Sequence, residues 1–260
     1  MNWLELCRGA RDDVARVLEE LPGRGDREPI LGAGEGGDDT TAIDAAAERV
    51  IVDRFKDEDV RIVTEEAGIL GKGRWTVVVD PIDGSLNAKR GIPFFSISIA
   101  VADGGTMDDV FFGYVFDFGS REEWTATRGE GAFVNGRALT ELPKEELEIL
   151  SFEATTTAYV AESAAGFESI AHRLRVMGSL AITLCHLAAG RIDGVVSLKN
   201  ARSVDIAAAQ LLVRERGLAI ELPDASPFGA APLDLVRRSR VAAAGNPDLC
   251  ARLARALPSR

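Results

Sequence analysis

Trp75-Thr76-Val77-Val78-Val79-Asp80-Pro81-Ile82-Asp83-Gly84-Ser85 is an apolar run that stops at two carboxylates, a glycine and a hydroxyl. The run has the length and β-branched character of a buried strand, so Asp80 and Asp83 stand at its exit. Carboxylates packed that closely repel each other unless a cation sits between them. The turn after Asp83 also offers backbone N–H groups to an anion. The hexapeptide Asp80–Ser85 thus supplies both halves of a metal-assisted phosphate site.

Working outward, 260 residues with 46% hydrophobic and 27% charged content suffice for a sizeable core, as one large domain or two coupled ones. The net charge of −11 argues against broad binding of nucleic acid or anionic membrane, though not against an anionic substrate. No apolar run reaches bilayer length. Trp3 to Leu21 reads as an amphipathic helix rather than a signal-peptide core. Three widely spaced cysteines, Cys7, Cys185 and Cys250, suit neither a disulfide framework nor a zinc site, so a cytoplasmic location is expected.

The first helix should stop near Pro22. Gly23 to Asp39, rich in Gly, Asp and Glu, reads as a mobile loop. Thr41 to Lys56 turns helical and Val60 to Val63 forms a short strand before Thr64-Glu65-Glu66. Beyond the hexapeptide, Phe94–Val101, Val110–Phe116, Glu123–Thr127 and Ala132–Val134 read as an antiparallel meander. Pro143 to Leu147 is connecting, which divides the chain into an α+β half at 1–147 and an α/β half at 148–260, with the site between them. In the second half, strands are expected at Leu174–Met177, Asp193–Leu198, Leu218–Glu221 and Val241–Ala244. Helices are expected at Ser179–Ala189, at Asp205–Arg216 and after Asn246-Pro247.

Hard oxygen ligands for a divalent ion are available at element ends: Glu65 and Glu66, Asp80 and Asp83, the Ile82 carbonyl, and Asp205. Taken singly, each has an ordinary reading. Asp205 serves as a helix N-cap, Glu65-Glu66 as a solvated turn, Asp44 as an acid in a helix's first turn, and Asp80-Pro81 as a turn initiator. Their joint occurrence with Asp83-Gly84-Ser85 favours a common site. The D-x-x-D spacing also differs from the D-x-D of haloacid-dehalogenase-type phosphatases.

Asp80-Pro81-Ile82-Asp83-Gly84-Ser85-Leu86-Asn87 matches D-P-[IL]-D-G-[ST]-x-N, Thr64-Glu65-Glu66 matches the acidic turn before it, and Gly178-Ser179 and Asp205-Ile206-Ala207-Ala208 follow in order. With these motifs, over about Thr40 to Gly217, the chain resembles the inositol monophosphatase superfamily of Mg²⁺-dependent sugar phosphatases. It is most similar to the archaeal-type fructose-1,6-bisphosphatase/inositol monophosphatase branch. The resemblance implies a layered α-β-α-β-α sandwich and a homodimer. It implies two or three Mg²⁺, or Mn²⁺, held by Glu65, Asp80, the Ile82 carbonyl, Asp83 and Asp205, with Asp38 on the loop as a further ligand. Ser85 with Asp44 would orient and activate water alongside Glu65. The backbone at Gly84, Ser85, Gly178 and Ser179 would hold phosphate oxygens.

Two residues depart from the family pattern. Ser85 stands where Thr is commoner, and Val204 where Trp often precedes the last aspartate. Lys89, Arg90, Arg175, Lys199 and Arg202 flank the motifs, and a bisphosphate needs extra cationic contacts, for which Arg202 is the best placed in sequence. The expected activity is hydrolysis of fructose 1,6-bisphosphate and inositol-1-phosphate by metal-activated water. The alternatives are a nucleotide phosphatase (NADP or 3′-phosphoadenosine 5′-phosphate) and a non-catalytic phosphate-binding regulator. Asp80→Asn or Asp83→Asn is expected to abolish turnover and leave the fold intact.

Overall fold

The computed structural model describes residues 1–225 and 227–258. In chain order the first half contains α1 (Trp3–Glu20), α2 (Arg24–Arg27), β1 (Ile30–Ala33), β2 (Asp39–Thr41), α3 (Ala42–Phe55), β3 (Val60–Thr64), β4 (Gly68–Gly71) and β5 (Trp75–Asp83). It continues with α4 (Ser85–Arg90), β6 (Ser96–Ala102), β7 (Val110–Asp117), β8 (Glu122–Thr127), β9 (Gly131–Val134) and β10 (Arg137–Ala138). The second half contains β11 (Leu147–Glu153), α5 (Thr157–Ala164), β12 (Ala171–Arg175), α6 (Leu180–Ala188), β13 (Gly194–Ser197), α7 (Ser203–Glu215), β14 (Ala219–Glu221), β15 (Ala242–Ala244) and α8 (Pro247–Ala256).

Strands β3 to β10 form one eight-stranded sheet in the order β10-β9-β8-β7-β6-β5-β3-β4, antiparallel except for β3 beside β5. The other large sheet runs β12-β11-β13-β15-β14. Alternation along β5 and β6 sorts their side chains. Val77, Val79, Ile97, Ile99 and Val101 join α1 and α3 on one face, while Val78, Ala100 and Ala102 meet α6 and α7 on the other. Helices α6 and α7 pack against strands of both sheets, and α5 and α8 cover the far face of the five-stranded sheet. The result is the expected α-β-α-β-α sandwich.

Small residues set the spacing of the central layer. A Cβ on Gly113 of β7 would lie 2.5 Å from the Ala208 carbonyl of α7, so only glycine admits the helix at this distance. Leu212 of α7 is fully buried in the core shared by the two sheets. Leu212→Ala is expected to cost about 2–5 kcal/mol, read as a lowered denaturant midpoint with an unchanged m-value.

Several sequence expectations shift. Gly23–Asp39 is not featureless: it holds the short helix α2 and the β1–β2 hairpin. Leu147, read as the end of a connection, opens β11. The strand expected at Leu174–Met177 lies at Ala171–Arg175, a sheet edge whose side chains are mostly exposed and carry little apolar periodicity. Helix α7 starts at Ser203 rather than Asp205, because the Asp205 carboxylate reaches back to accept the Arg202 N–H at 2.6 Å. Among the described residues, no helix is long and apolar enough to cross a membrane.

Candidate active site

In a regular strand, residues three apart face opposite sides. Asp80 pairs with Ser98 and Asp83 with Ser96, so β5 advances three residues where β6 advances two. The extra residue is a bulge between Asp80 and Asp83, a stretch that includes Pro81, which has no N–H to give the ladder. It brings both aspartates to one cavity of about 530 Å³, which Glu65, Ile82, Asp205 and Asp38 also line. Gly84, with φ of +90°, turns the chain from β5 into α4. A Cβ there would lie 2.9 Å from the Gly178 carbonyl and 3.1 Å from that of Phe94. Ser85 follows at the first position of α4, and its hydroxyl donates to the Ile82 carbonyl at 3.1 Å.

The two halves are joined across this cavity. Ser179 Oγ donates to Asp83 Oδ2 at 2.5 Å, and the N–H groups of Leu180 and Ala181 add bonds of 3.3 and 2.7 Å to the same carboxylate. The first turn of α6 is thus capped by an acid from β5. Asn87 donates 2.8 Å bonds to both Phe94 and Met177 carbonyls, tying the two halves together. Glu65 is fixed from behind. The buried Glu48 carboxylate accepts from Thr64 Oγ1 at 2.6 Å and from the Glu66 and Ala67 N–H groups at 2.9 and 3.1 Å. The hairpin tip docks on this turn through Gly36 N–H to the Glu65 carbonyl at 2.8 Å.

Burial dominates the electrostatics. Desolvation pushes the Glu65 carboxyl up to about 7, with Arg202 opposing and Asp205 reinforcing the shift. Desolvation likewise raises Asp83 to about 7 against its Ser179 and Ala181 bonds, and Asp80 is raised by burial and by Glu65, Asp83 and Asp205. The cation set among them is Arg202, whose Nη2 lies 2.5 Å from Glu65 Oε1 and 3.1 Å from Asp205 Oδ1. In this arrangement no three acidic, His or Cys side chains among the described residues close on a single point at metal-ligand spacing. The donor set is nevertheless all oxygen, buried, mutually repelling and gathered on one cavity, which fits a hard divalent cation.

Not every residue singled out in the sequence reaches the cavity wall. Gly178 and Lys199 do, whereas Ser179 lies buried, bonded to Asp83. The Gly178 N–H, expected for phosphate, donates instead to Glu153 at 2.8 Å. Arg175 folds back onto its neighbour's carbonyl and does not line the cavity. Arg202, expected at a second phosphate, is drawn into the carboxylates because they are the nearest uncompensated charge. Asp44 makes no hydrogen bond to Ser85 among the described residues. It accepts from Thr41 Oγ1 at 2.5 Å and pairs at 3.0 Å with Lys89, one turn beyond Ser85 on α4. Asp38 pairs with Arg237.

Glu153 and Arg237 were not anticipated. Glu153 is fully buried at the end of β11 and accepts from Ser151, Met177, Gly178 and Thr183, so it shapes the loop before α6. Its sequence signal is an acid closing a mostly apolar strand, Leu147–Glu153.

A layered sandwich whose acidic cavity is lined by residues of both halves of the chain is the fold of a known family of phosphatases. The chain belongs to the inositol monophosphatase family, whose profile matches residues 8–260. It is 34% identical over 219 residues to a fructose-1,6-bisphosphatase/inositol-1-monophosphatase of Thermococcus kodakarensis, covering 83% of this chain and 82% of that one. It is 38% identical over 192 residues to the Nus factor SuhB of Escherichia coli, covering 69% and 70%. The crystal structure of the MJ0109 gene product, an inositol monophosphatase-fructose 1,6 bisphosphatase, matches with a TM-score of 0.87 at 25% identity, over 99% of this chain and 100% of that one.

Proposed function

We propose that the chain is a Mg²⁺-dependent phosphomonoesterase acting on fructose 1,6-bisphosphate and inositol-1-phosphate. The observation that carries this reading is the convergence of Glu65, Asp80, Asp83, Asp205 and the Ile82 carbonyl on one cavity beside the Gly84–Ser85 turn. Those five groups would hold the divalent ions, with Asp38 joining from the hairpin. When bound, such ions make a water more acidic and neutralise charge building up on phosphoryl oxygens.

The protein's own groups supply position. The first N–H groups of α4 have no acceptor within the helix and would donate to phosphate oxygens. Ser85, anchored on the Ile82 carbonyl, presents its oxygen lone pairs to an attacking water. Asp44 is engaged by Thr41 and Lys89, so its part is to hold Lys89 beside the site. Lys199 and Arg237 on the cavity wall are the cations available to a second phosphate, in place of Arg202. The cavity volume suits a sugar bisphosphate.

Phosphate release from fructose 1,6-bisphosphate, inositol-1-phosphate, NADP and 3′-phosphoadenosine 5′-phosphate, each with Mg²⁺ or with EDTA, tests the reading. Turnover of the first two substrates that disappears in EDTA is expected. Preference for the nucleotides would replace the substrate assignment, and no EDTA-sensitive release from any ester would overturn the enzyme.

A further inference from the structure

The side chain of Arg202 is only 8% exposed and contacts three acids of the cavity and one carbonyl of the β1–β2 hairpin. Besides Glu65 and Asp205, its Nη1 donates to the Gly36 carbonyl at 3.3 Å and lies 3.7 Å from Asp38 Oδ2. A Cβ on Gly36 would fall 2.4 Å from that nitrogen, so the glycine is what leaves room for the guanidinium. Its Nε is buried and has no hydrogen-bond partner among the described residues. A guanidinium cannot shed its charge. The same oxygens of Glu65 and Asp205 therefore serve either Arg202 or a divalent ion, and the unpartnered Nε marks a contact that is not fully satisfied.

We propose that Arg202 is a built-in counter-ion of the metal-free cage, which competes with the divalent ion for Glu65 and Asp205 and tethers the β1–β2 hairpin through Gly36 and Asp38. This rests on the reading of the cage as a divalent-cation site. Metal entry then requires the guanidinium to give up two carboxylates, and the hairpin loses part of its anchor at that moment. Arg202 is a positioning residue: it sets the affinity of the cage and the order of the hairpin through the ligands it holds.

The test is Mn²⁺ binding to the whole chain, followed by calorimetry, with thermal unfolding in EDTA and hydrogen exchange over residues 34–39 as independent readouts. Arg202→Met keeps the stem and removes the charge. Mn²⁺ affinity is expected to rise roughly tenfold or more, a typical coupling magnitude. The metal-free variant should melt lower than the wild type, and its hairpin amides should exchange faster. Gly36→Ala, which crowds the guanidinium without deleting it, should shift Mn²⁺ affinity in the same direction and guards against misfolding of the first variant. Unchanged or weaker Mn²⁺ binding in both variants, with the wild type binding normally, overturns the counter-ion role and leaves the cage intact. A wild type that binds no Mn²⁺ removes the cage reading itself.

Discussion

Asp80→Asn should lower kcat/KM on fructose 1,6-bisphosphate by about a thousandfold, the scale on which removal of one essential electrostatic group acts. The carboxylate is 3% exposed, and the protein hydrogen bond it accepts is from the Ile82 N–H at 3.1 Å. An asparagine has the same shape and can keep that bond through its carbonyl oxygen. What it loses is the charge, which burial and then Glu65, Asp83 and Asp205 already disfavour. The substitution should therefore spare the fold and raise the melting temperature of the metal-free protein while it removes activity. Retention of more than a tenth of wild-type kcat/KM at saturating Mg²⁺ would sink the ligand role of Asp80. Asp83→Asn is a different experiment. Asp83 takes three donors from Ser179, Leu180 and Ala181, and an amide cannot accept from all of them. That variant should lose stability as well as turnover, contrary to what the sequence alone suggests.

Raising the pH from 6.5 to 8.5 should lower the melting temperature of the EDTA-treated protein by several degrees, and Mg²⁺ should reverse the loss. Glu65 and Asp83 are both raised to about 7 by desolvation. A group whose folded pKa lies above its unfolded one stabilises the native state fully below the unfolded value, and that stability is lost as pH climbs through the folded value. Between 6.5 and 8.5 both carboxyls must ionise in a buried cage. The part of the loss that falls in this window is about 1.5 kcal/mol, which corresponds to roughly 3–6 °C for a chain of this size. Divalent ion at a hundred times its dissociation constant returns about 2.7 kcal/mol, and the gain should be larger at pH 8.5 because the ionised acids are the ligands. His186, held down by burial, works in the opposite direction below about 6.5, outside this window. Carboxylates lowered by arginine partners, such as Glu123 beside Arg8, titrate lower still. A melting temperature in EDTA that stays level or climbs from pH 6.5 to 8.5 would contradict the assignment.

The local part of the site was legible because the chain writes it in one place. A β-branched run, two acids and a glycine fix the strand exit, and Glu65 and Asp205 stand at element ends that periodicity locates. The layering was legible only through the resemblance. What could not be read depends on partners distant in sequence. Glu153 becomes a scaffold because Met177, Gly178 and Thr183 come to it from across a helix and a strand. Arg202 looks the same in sequence whether it reaches outward to a phosphate or inward to Glu65, 137 positions earlier. Asp44 follows Lys89, a residue on another helix. The edge strand at Ala171–Arg175 and the helix at Thr157–Ala164 carry few buried side chains, so their apolar pattern is faint.

The three-against-two stagger between β5 and β6 makes the chemistry depend on counting. Removing a single residue between Asp80 and Asp83 would make the ladder even and take out the bulge, and adding one would set the two acids four positions apart against two on β6. Drift in this segment can change the identity of its residues, but its length is tied to the stagger that delivers the second acid and the glycine turn together.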